Sequence, residues 1–493
     1  MKLQQQLQPL MLLTVILSST ISTLISNEPN AALSAAPVTA ASANDFVNSI
    51  GVNTHWGYTD TQYYLNYSTV KQKLIALGVR HIRDSGSSDD VIAKMKDLAG
   101  AGIKTNYIES PASGVRPNST YWVHPPSANN PGYNIVDFVK KVGTNAIESV
   151  EVLNEIDLFY NNYYWHPGDT AQINNDQNSP LYWVNYATSV TQDTWTALKS
   201  NSVTASVKVV GPSLGVTYDY SRKSPLADLS GYVDGGNFHP YPSGGNSFSY
   251  PFSYDTINKY SWQGNFPAVN IDENPYAFDV YAPPFGSKPM VATETGYHTD
   301  TGYQAISELM QGKYMPRLFL EYFRKGIVRT FSYEFVDEWN DPNNPQANYG
   351  LLHNDLTPKP AYTALKNLIN LLKDPGNSFT LGSLDYTLTV TPPTGYNLTQ
   401  YVHNLLLQKR DGKFYLVLWH EISNGDISST PVREIKPPAM PTTLKLNTPV
   451  SSAIVYSLDD KGNMSSSTAT ITNNTLNLNV TDKAMIVKLT PSN

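Results

Sequence analysis

The apolar positions of this chain change rhythm once, near residue 375. Before that point, short apolar runs alternate with longer stretches in which apolar residues recur at helical spacing. Residues 50–53, 79–83, 104–108, 150–153, 207–210, 232–238, 290–293 and 327–335 read as strands. Helical periodicity covers 67–77, 89–98, 133–142, 181–198, 304–325 (with a break expected at Pro316) and a stretch opened by Pro358 and Pro360 that runs to Leu372. Gly78 and Gly100 sit where such helices should stop. Roughly eight strands, mostly separated by helices, predict a (β/α)8 TIM barrel, an α/β fold, over residues 44–375. No glycine-rich phosphate loop follows the first strand, which argues against a dinucleotide-binding sheet. Beyond Asp374-Pro375-Gly376 the pattern becomes period-two alternation with turns such as Arg410-Asp411-Gly412-Lys413. Residues 376–493 are therefore expected to form an all-β sandwich domain.

The N-terminus departs from both rhythms. Residues 10–25 are mostly apolar, and Ala41-Ser42-Ala43 offers a small-residue cleavage site. We therefore expect a signal peptide over 1–43 and a protein that is secreted, periplasmic or held at the cell surface, with no membrane span once the leader is cleaved. The chain of 493 residues has no cysteine, which excludes disulfides, thiol chemistry and Cys-ligated metal. Its net charge of −7 gives no electrostatic case for nucleic acid or anionic membranes. The 33 Tyr and 8 Trp fit flat, amphipathic ligand surfaces. A monomer is expected, without metal or other cofactor.

In a barrel of this kind, the C-terminal strand ends share one cleft. Those ends carry Asn53, His55 and Trp56 (first strand), Arg83 (second), Glu109 (third), Asn154 and Glu155 (fourth), His239 and Tyr241 (sixth), Glu294 (seventh) and Tyr333, with Glu334 and Trp339 beyond it (eighth). Two glutamates on nearly opposite strands suit glycosidic cleavage, which needs a proton donor at the leaving oxygen and an ionised carboxylate across the sugar. Arg83 and Tyr241 are suited to keep one carboxylate ionised. Asn154 is suited to a sugar 2-hydroxyl, and Trp56 and Trp339 to stacking on sugar faces. Gly211-Pro212-Ser213-Leu214-Gly215 also matches a nucleophile-elbow pattern, but it lacks the helix that the elbow requires.

With these residues in place, the chain resembles clan A of the retaining glycoside hydrolases, over most of its length. Asn154-Glu155 matches the clan's acid/base signature after strand four, and Thr293-Glu294-Thr295-Gly296 its nucleophile region after strand seven. His239-Pro240-Tyr241 looks like the strand-six element, Arg83 and Trp339 fit strands two and eight, and Tyr349-Gly350-Leu351-Leu352 is similar to the clan's last unit. Xylosidase-like, iduronidase-like and cellulase-like members all stay open. Ile156 stands where a proline often follows the Asn-Glu pair. The resemblance implies a glycosidase acting on a poly- or oligosaccharide by double displacement, with Glu155 as acid/base and Glu294 as nucleophile. Asn154, Arg83, His239, Tyr241, Trp339, Tyr333, His55 and Trp56 would contact or position substrate. The competing expectation is a non-catalytic carbohydrate-binding protein on the same scaffold.

Overall fold

The computed structural model describes residues 37–118, 132–166, 168–215, 224–241, 281–302, 305–394, 401–426 and 432–492. The apolar run at 10–25, most of the leader and the aromatic stretch at 242–280 lie outside these residues.

Eight parallel strands form the catalytic-type barrel: β1 (Ile50–Asn53), β2 (His81–Asp84), β3 (Lys104–Glu109), β4 (Ile147–Val152), β5 (Lys208–Val210), β6 (Gly236–Phe238), β7 (Met290–Thr295) and β8 (Arg329–Ser332). Neighbours pair in order, β8 pairs back onto β1, and a parallel bridge from Val210 to Gly235 closes the ring between β5 and β6. The TIM barrel expected from the alternation is thus present. Gly51 is required by that closure, because a Cβ there would meet the Phe331 ring at 2.4 Å.

Helices end where local chemistry dictates. Ser88 caps the helix Asp89–Gly100 by accepting from the Val91 amide, and Gly78 adopts φ 92° after Tyr67–Leu77, a conformation open to glycine at little cost. The helix Glu308–Arg324 runs unbroken through Pro316, contrary to the expected break. The sixth strand is only Gly236–Phe238, shorter than its apolar run predicted.

The sandwich holds a three-stranded sheet (Tyr386–Val390, Met440–Leu446, Thr475–Val480) and a six-stranded one built around Val402–Gln408, Phe414–His420, Met485–Pro491, Val450–Leu458 and Met464–Ala469. Its remaining strand is Ala41–Ser42, which pairs with Leu407 and Gln408, while Val38 and Thr39 pair with Leu384 and Ser383. Ser42 then caps the helix Ala43–Asn48. A boundary at residue 43 would therefore cut between paired strands and the helix that Ser42 caps. Two-residue strands have no periodicity to read, so the sequence hid them.

Barrel and sandwich share one apolar cluster, in which Tyr314, Leu318 and Tyr322 of the barrel join Tyr415, Val417, Trp419 and Ile486 of the sandwich. Arg317, fully buried on the Glu308–Arg324 helix, donates to Asn424 Oδ1 (3.1 Å), the carbonyls of Asp482 (3.1 Å) and Ile422 (2.9 Å), and Glu421 Oε1 (3.3 Å). Among the described residues no helix is long and apolar enough to cross a membrane.

Candidate active site

The chain leaves β4 through a sharp corner. Leu153 and Glu155 both take left-handed backbone conformations (φ 59° and 44°), which cost non-glycine residues about 1 kcal/mol or more each. Four contacts hold the corner. The Leu153 amide donates to the Glu109 carbonyl (2.9 Å), the Ser213 amide to the Leu153 carbonyl (3.4 Å), the Glu155 amide to Ser213 Oγ (3.2 Å), and Arg83 Nη2 to Asn154 Oδ1 (2.6 Å). Ser213 is completely buried in this role, and residues 211–215 form no helix, so the elbow pattern is incidental. Gly215 lies directly against the acid, since a Cβ there would come 2.8 Å from Glu155 Cδ.

Arg83, at the end of β2, is the electrostatic centre. Its Nε and Nη2 form a two-pronged pair with Glu151 (2.7 and 2.8 Å), and its Nη1 reaches Glu294 Oε1 (2.6 Å) and Asn53 Oδ1 (2.9 Å). Tyr241 donates its hydroxyl to Glu294 Oε2 (2.9 Å). Burial alone would raise the Glu294 carboxyl; His239, the Arg83 guanidinium and the Tyr241 hydroxyl outweigh it and hold the group below its usual value. Both Glu294 oxygens therefore act as acceptors on an ionised carboxylate.

His239 links the two strand-end acids. Its Nδ1 stands 2.8 Å from Glu155 Oε1 and 3.7 Å from Glu294 Oε2, and its Nε2 stands 3.0 Å from Thr293 Oγ1. The hydrogen-bond count assigns the tautomer. Asn237 Nδ2 is spent on the Gly211 carbonyl (3.1 Å), so its Oδ1 faces Thr293 Oγ1 (2.8 Å) as an acceptor. Glu151 Oε1 is a second acceptor on Thr293 Oγ1 (3.1 Å). Thr293 has a single proton and two acceptors for it, so it must receive the Nε2–H of His239. Nδ1 then meets Glu155 in one of two ways: as a bare nitrogen accepting the carboxylic proton, or as an imidazolium donating to the carboxylate. Either way one proton is shared between His239 and Glu155. Burial works against a charged His239, but Glu294 and Glu155 prevail and its pKa is raised.

One donor atom each of Glu155, His239 and Glu294 lie within 4.8 Å of one another.

A cavity of about 520 Å³ opens over these groups. Its walls include Asn53, His55, Tyr58, Arg83, Asn154, Glu155, Phe159, Tyr163, Tyr241, Glu294 and Tyr333. Of the ten residues expected at the site, Arg83, Asn154, Glu155, Tyr241, Glu294, Tyr333 and His55 line it, and His239 stands behind Glu155. Two do not. Trp56 is fully buried, edge-on against Tyr63 and Tyr67, and belongs to the core. Trp339 is 37 % exposed, with its indole N–H turned to Asp60 (3.4 Å), and is not part of the cavity wall. The stacking assignment of Trp56 is corrected, because aromatic identity at a strand end does not fix which way the ring points; Trp339 remains an exposed ring outside this wall. Glu109 is fully buried beneath the site, bonded to Thr194 (2.6 Å), with burial pushing its carboxyl up to about 8.

The strand-end survey missed Glu151, Asn237, Asn106 and the role of Thr293. Glu151 lies inside β4 rather than at its end, fully buried, with Asn106 Nδ2 on its Oε2 (2.8 Å). The signal for it was present: a carboxylate flanked by Val150 and Val152 in a barrel strand demands a buried cation, and Arg83 supplies one.

Comparison with known proteins bears on the fold. No family model matches the chain, and no curated protein matches it. Among solved structures, the catalytic domain of GH30 xylanase C from Talaromyces cellulolyticus is similar over 92% of this chain and 98% of its own, at 12% identity and a TM-score of 0.51. CelM2, a bifunctional glucanase-xylanase from a metagenome library, is similar over 86% of this chain and 94% of its own, at 11% identity and a TM-score of 0.50. The chain has the fold of glycoside hydrolase barrels, in line with its resemblance to clan A.

Proposed function

We propose that the protein is an exported retaining glycosidase. The observation that carries this reading is the pairing of Glu155 with Glu294 across one cavity, in unequal settings. Glu294 is held ionised by Arg83 and Tyr241, whereas Glu155 shares a proton with His239. In the first step Glu294 attacks the anomeric carbon while Glu155 protonates the departing glycosidic oxygen. In the second, Glu155 takes a proton from water as that water displaces Glu294. To Asn154, oriented on the cavity wall by Arg83, we assign a sugar 2-hydroxyl, a contact that strengthens in the transition state.

The substrate class we propose is a neutral glycan. Among the described residues the cavity wall carries one guanidinium, that of Arg83, already engaged by Glu151 and Glu294, and the ionised Glu294 adds negative charge there. His55 is uncharged at neutral pH, because burial pushes its pKa down to about 4. Tyr58, Tyr163 and Phe159 offer apolar surface. The titles of the two similar structures name xylanase and glucanase activities. Export rests on the apolar run at 10–25; cleavage would then fall before Val38, sparing the strands at 38–42.

The test is a screen of aryl glycosides and neutral polysaccharides, with the first-formed product anomer read by NMR. Retention of configuration is expected. Inversion would remove the nucleophile assignment, and saturable sugar binding with no turnover on any glycan would replace the enzyme with a binding protein.

A further inference from the structure

Directly behind the cavity wall, β8 continues into a second buried polar cluster that the proposed reaction does not use. Glu334 and Glu338 are 0 % and 4 % exposed, and neither forms an ion pair with a lysine or arginine among the described residues. The nearby Lys359 is committed to Asp337 (2.8 Å). His55 Nε2 points at both acids, 3.4 Å from Glu334 Oε2 and 3.7 Å from Glu338 Oε1. His55 Nε2, Glu334 Oε1 and Glu338 Oε1 are all buried without a hydrogen-bond partner among the described residues. Leaving a buried carboxylate without a compensating cation is costly, and orphaned buried polar atoms are rare enough to require a cause.

Two similar groupings elsewhere lack this deficit. Glu321, His403 and Glu421 are served by Arg324, Arg317 and the Trp419 indole. Glu155, His239 and Glu294 are served by Arg83, Tyr241 and Thr293. Among the described residues, the cluster behind His55 is the one of the three that combines an imidazole and two carboxylates with no lysine or arginine ion pair.

We propose that His55, Glu334 and Glu338 bind one divalent cation of the Mn²⁺ or Zn²⁺ type. One donor atom from each residue lies within 4.8 Å of the others. Metal–ligand bonds of about 2.1 Å place tetrahedral ligands about 3.4 Å apart, close to the two observed separations. The mixed nitrogen and oxygen set suits these metals better than calcium, which takes oxygen ligands. Tyr63 donates to Glu334 Oε2 (3.0 Å) and would orient that ligand from outside the first shell. The ion would stiffen the cavity wall, because the His55 ring stacks on Tyr58 (centroids 4.5 Å apart) and meets Tyr333 edge-on (5.7 Å). This departs from the sequence expectation of no metal, and it does not depend on the glycosidase reading.

The test is titration calorimetry of chelator-stripped full-length protein with MnCl₂ and ZnCl₂, followed by anomalous diffraction from crystals soaked in MnCl₂. We expect one ion per chain, a rise in Tm on binding, at least a tenfold weaker Kd in Glu338→Gln, and an anomalous peak bonded to all three side chains. Absence of binding, affinity unchanged in Glu338→Gln, or an anomalous peak elsewhere would each overturn the site. The diffraction result uses the unaltered protein, so it decides the matter even if the variant misfolds.

Discussion

Arg83 and Arg317 are both buried guanidiniums, 2 % and 0 % exposed, and each is met by a buried carboxylate. Their surroundings differ in one respect. Arg317 spends its Nη1 and Nη2 on two backbone carbonyls, Asn424 and Glu421, and the other Glu421 oxygen takes the Trp419 indole N–H (2.8 Å). None of these partners lines the cavity over Glu155 and Glu294. Arg83 is half closed. Glu151 neutralises it from the barrel interior, and the remaining N–H groups reach outward to Glu294 and Asn154, both on the cavity wall. The same pairing thus ties barrel to sandwich in one place and orients two cavity-wall groups, Glu294 and Asn154, in the other. What separates the two settings is what the guanidinium's remaining N–H groups face.

The comparison can be broken from either side. Glu294→Gln should lower kcat by roughly 10⁴-fold or more, the scale of removing a nucleophile, while Tm moves little because Glu151 still neutralises Arg83. Residual activity within tenfold of wild type would end the nucleophile role. Arg317→Met should do the reverse. It strands Glu421 in the interface and should cost about 3–5 kcal/mol in urea unfolding, with kcat per folded molecule unchanged.

A subtler separation comes from Thr293→Val. It removes the group that accepts the His239 Nε2 proton, so the ring is free to present Nδ1–H to Glu155 and hold that carboxylate ionised. Glycosides with poor leaving groups should lose roughly 10²-fold, the lower range of general-acid catalysis, whereas activated aryl glycosides that need no protonation should be nearly unaffected. Equal loss on both classes would mean that Thr293 only supports the fold. Gly215→Ala should cost about tenfold on poor leaving groups, because displacing Glu155 by even an ångström misaligns proton transfer.

The smallest effect is on stability against pH. The folded pKa of Glu294 lies below its usual 4.5, so its contribution is fully present above 4.5 and is lost as pH falls through the lowered folded value. The acid limb of urea stability should therefore flatten in Glu294→Gln. His239 has the opposite sign. Its folded pKa is raised above 6.5, so its contribution is present below 6.5 and lost as pH rises through the raised value.

The barrel was legible because helix and strand periods differ and alternate, and the strand-end rule then located Arg83, Asn154, Glu155, Tyr241 and Glu294 together. The rule is blind to residues inside strands, which is why Glu151 and Asn237 escaped it. It is equally blind to ring orientation, which is why Trp56, packed in the core, was misplaced. The strands at 38–42 were lost for a third reason: two residues carry no period, and their apolar and small side chains read instead as a leader's end.

In the proposed reaction Glu294, presented by Arg83 and Tyr241, bonds to the sugar. Activated 2-deoxy-2-fluoro glycosides of the sugars that the protein turns over should trap that bond, to be located by intact-mass and peptide mass spectrometry. A single label on the peptide containing Glu294 is the expected result. Full turnover of the parent glycoside with the label on another acid, or with no covalent adduct, would contradict the account.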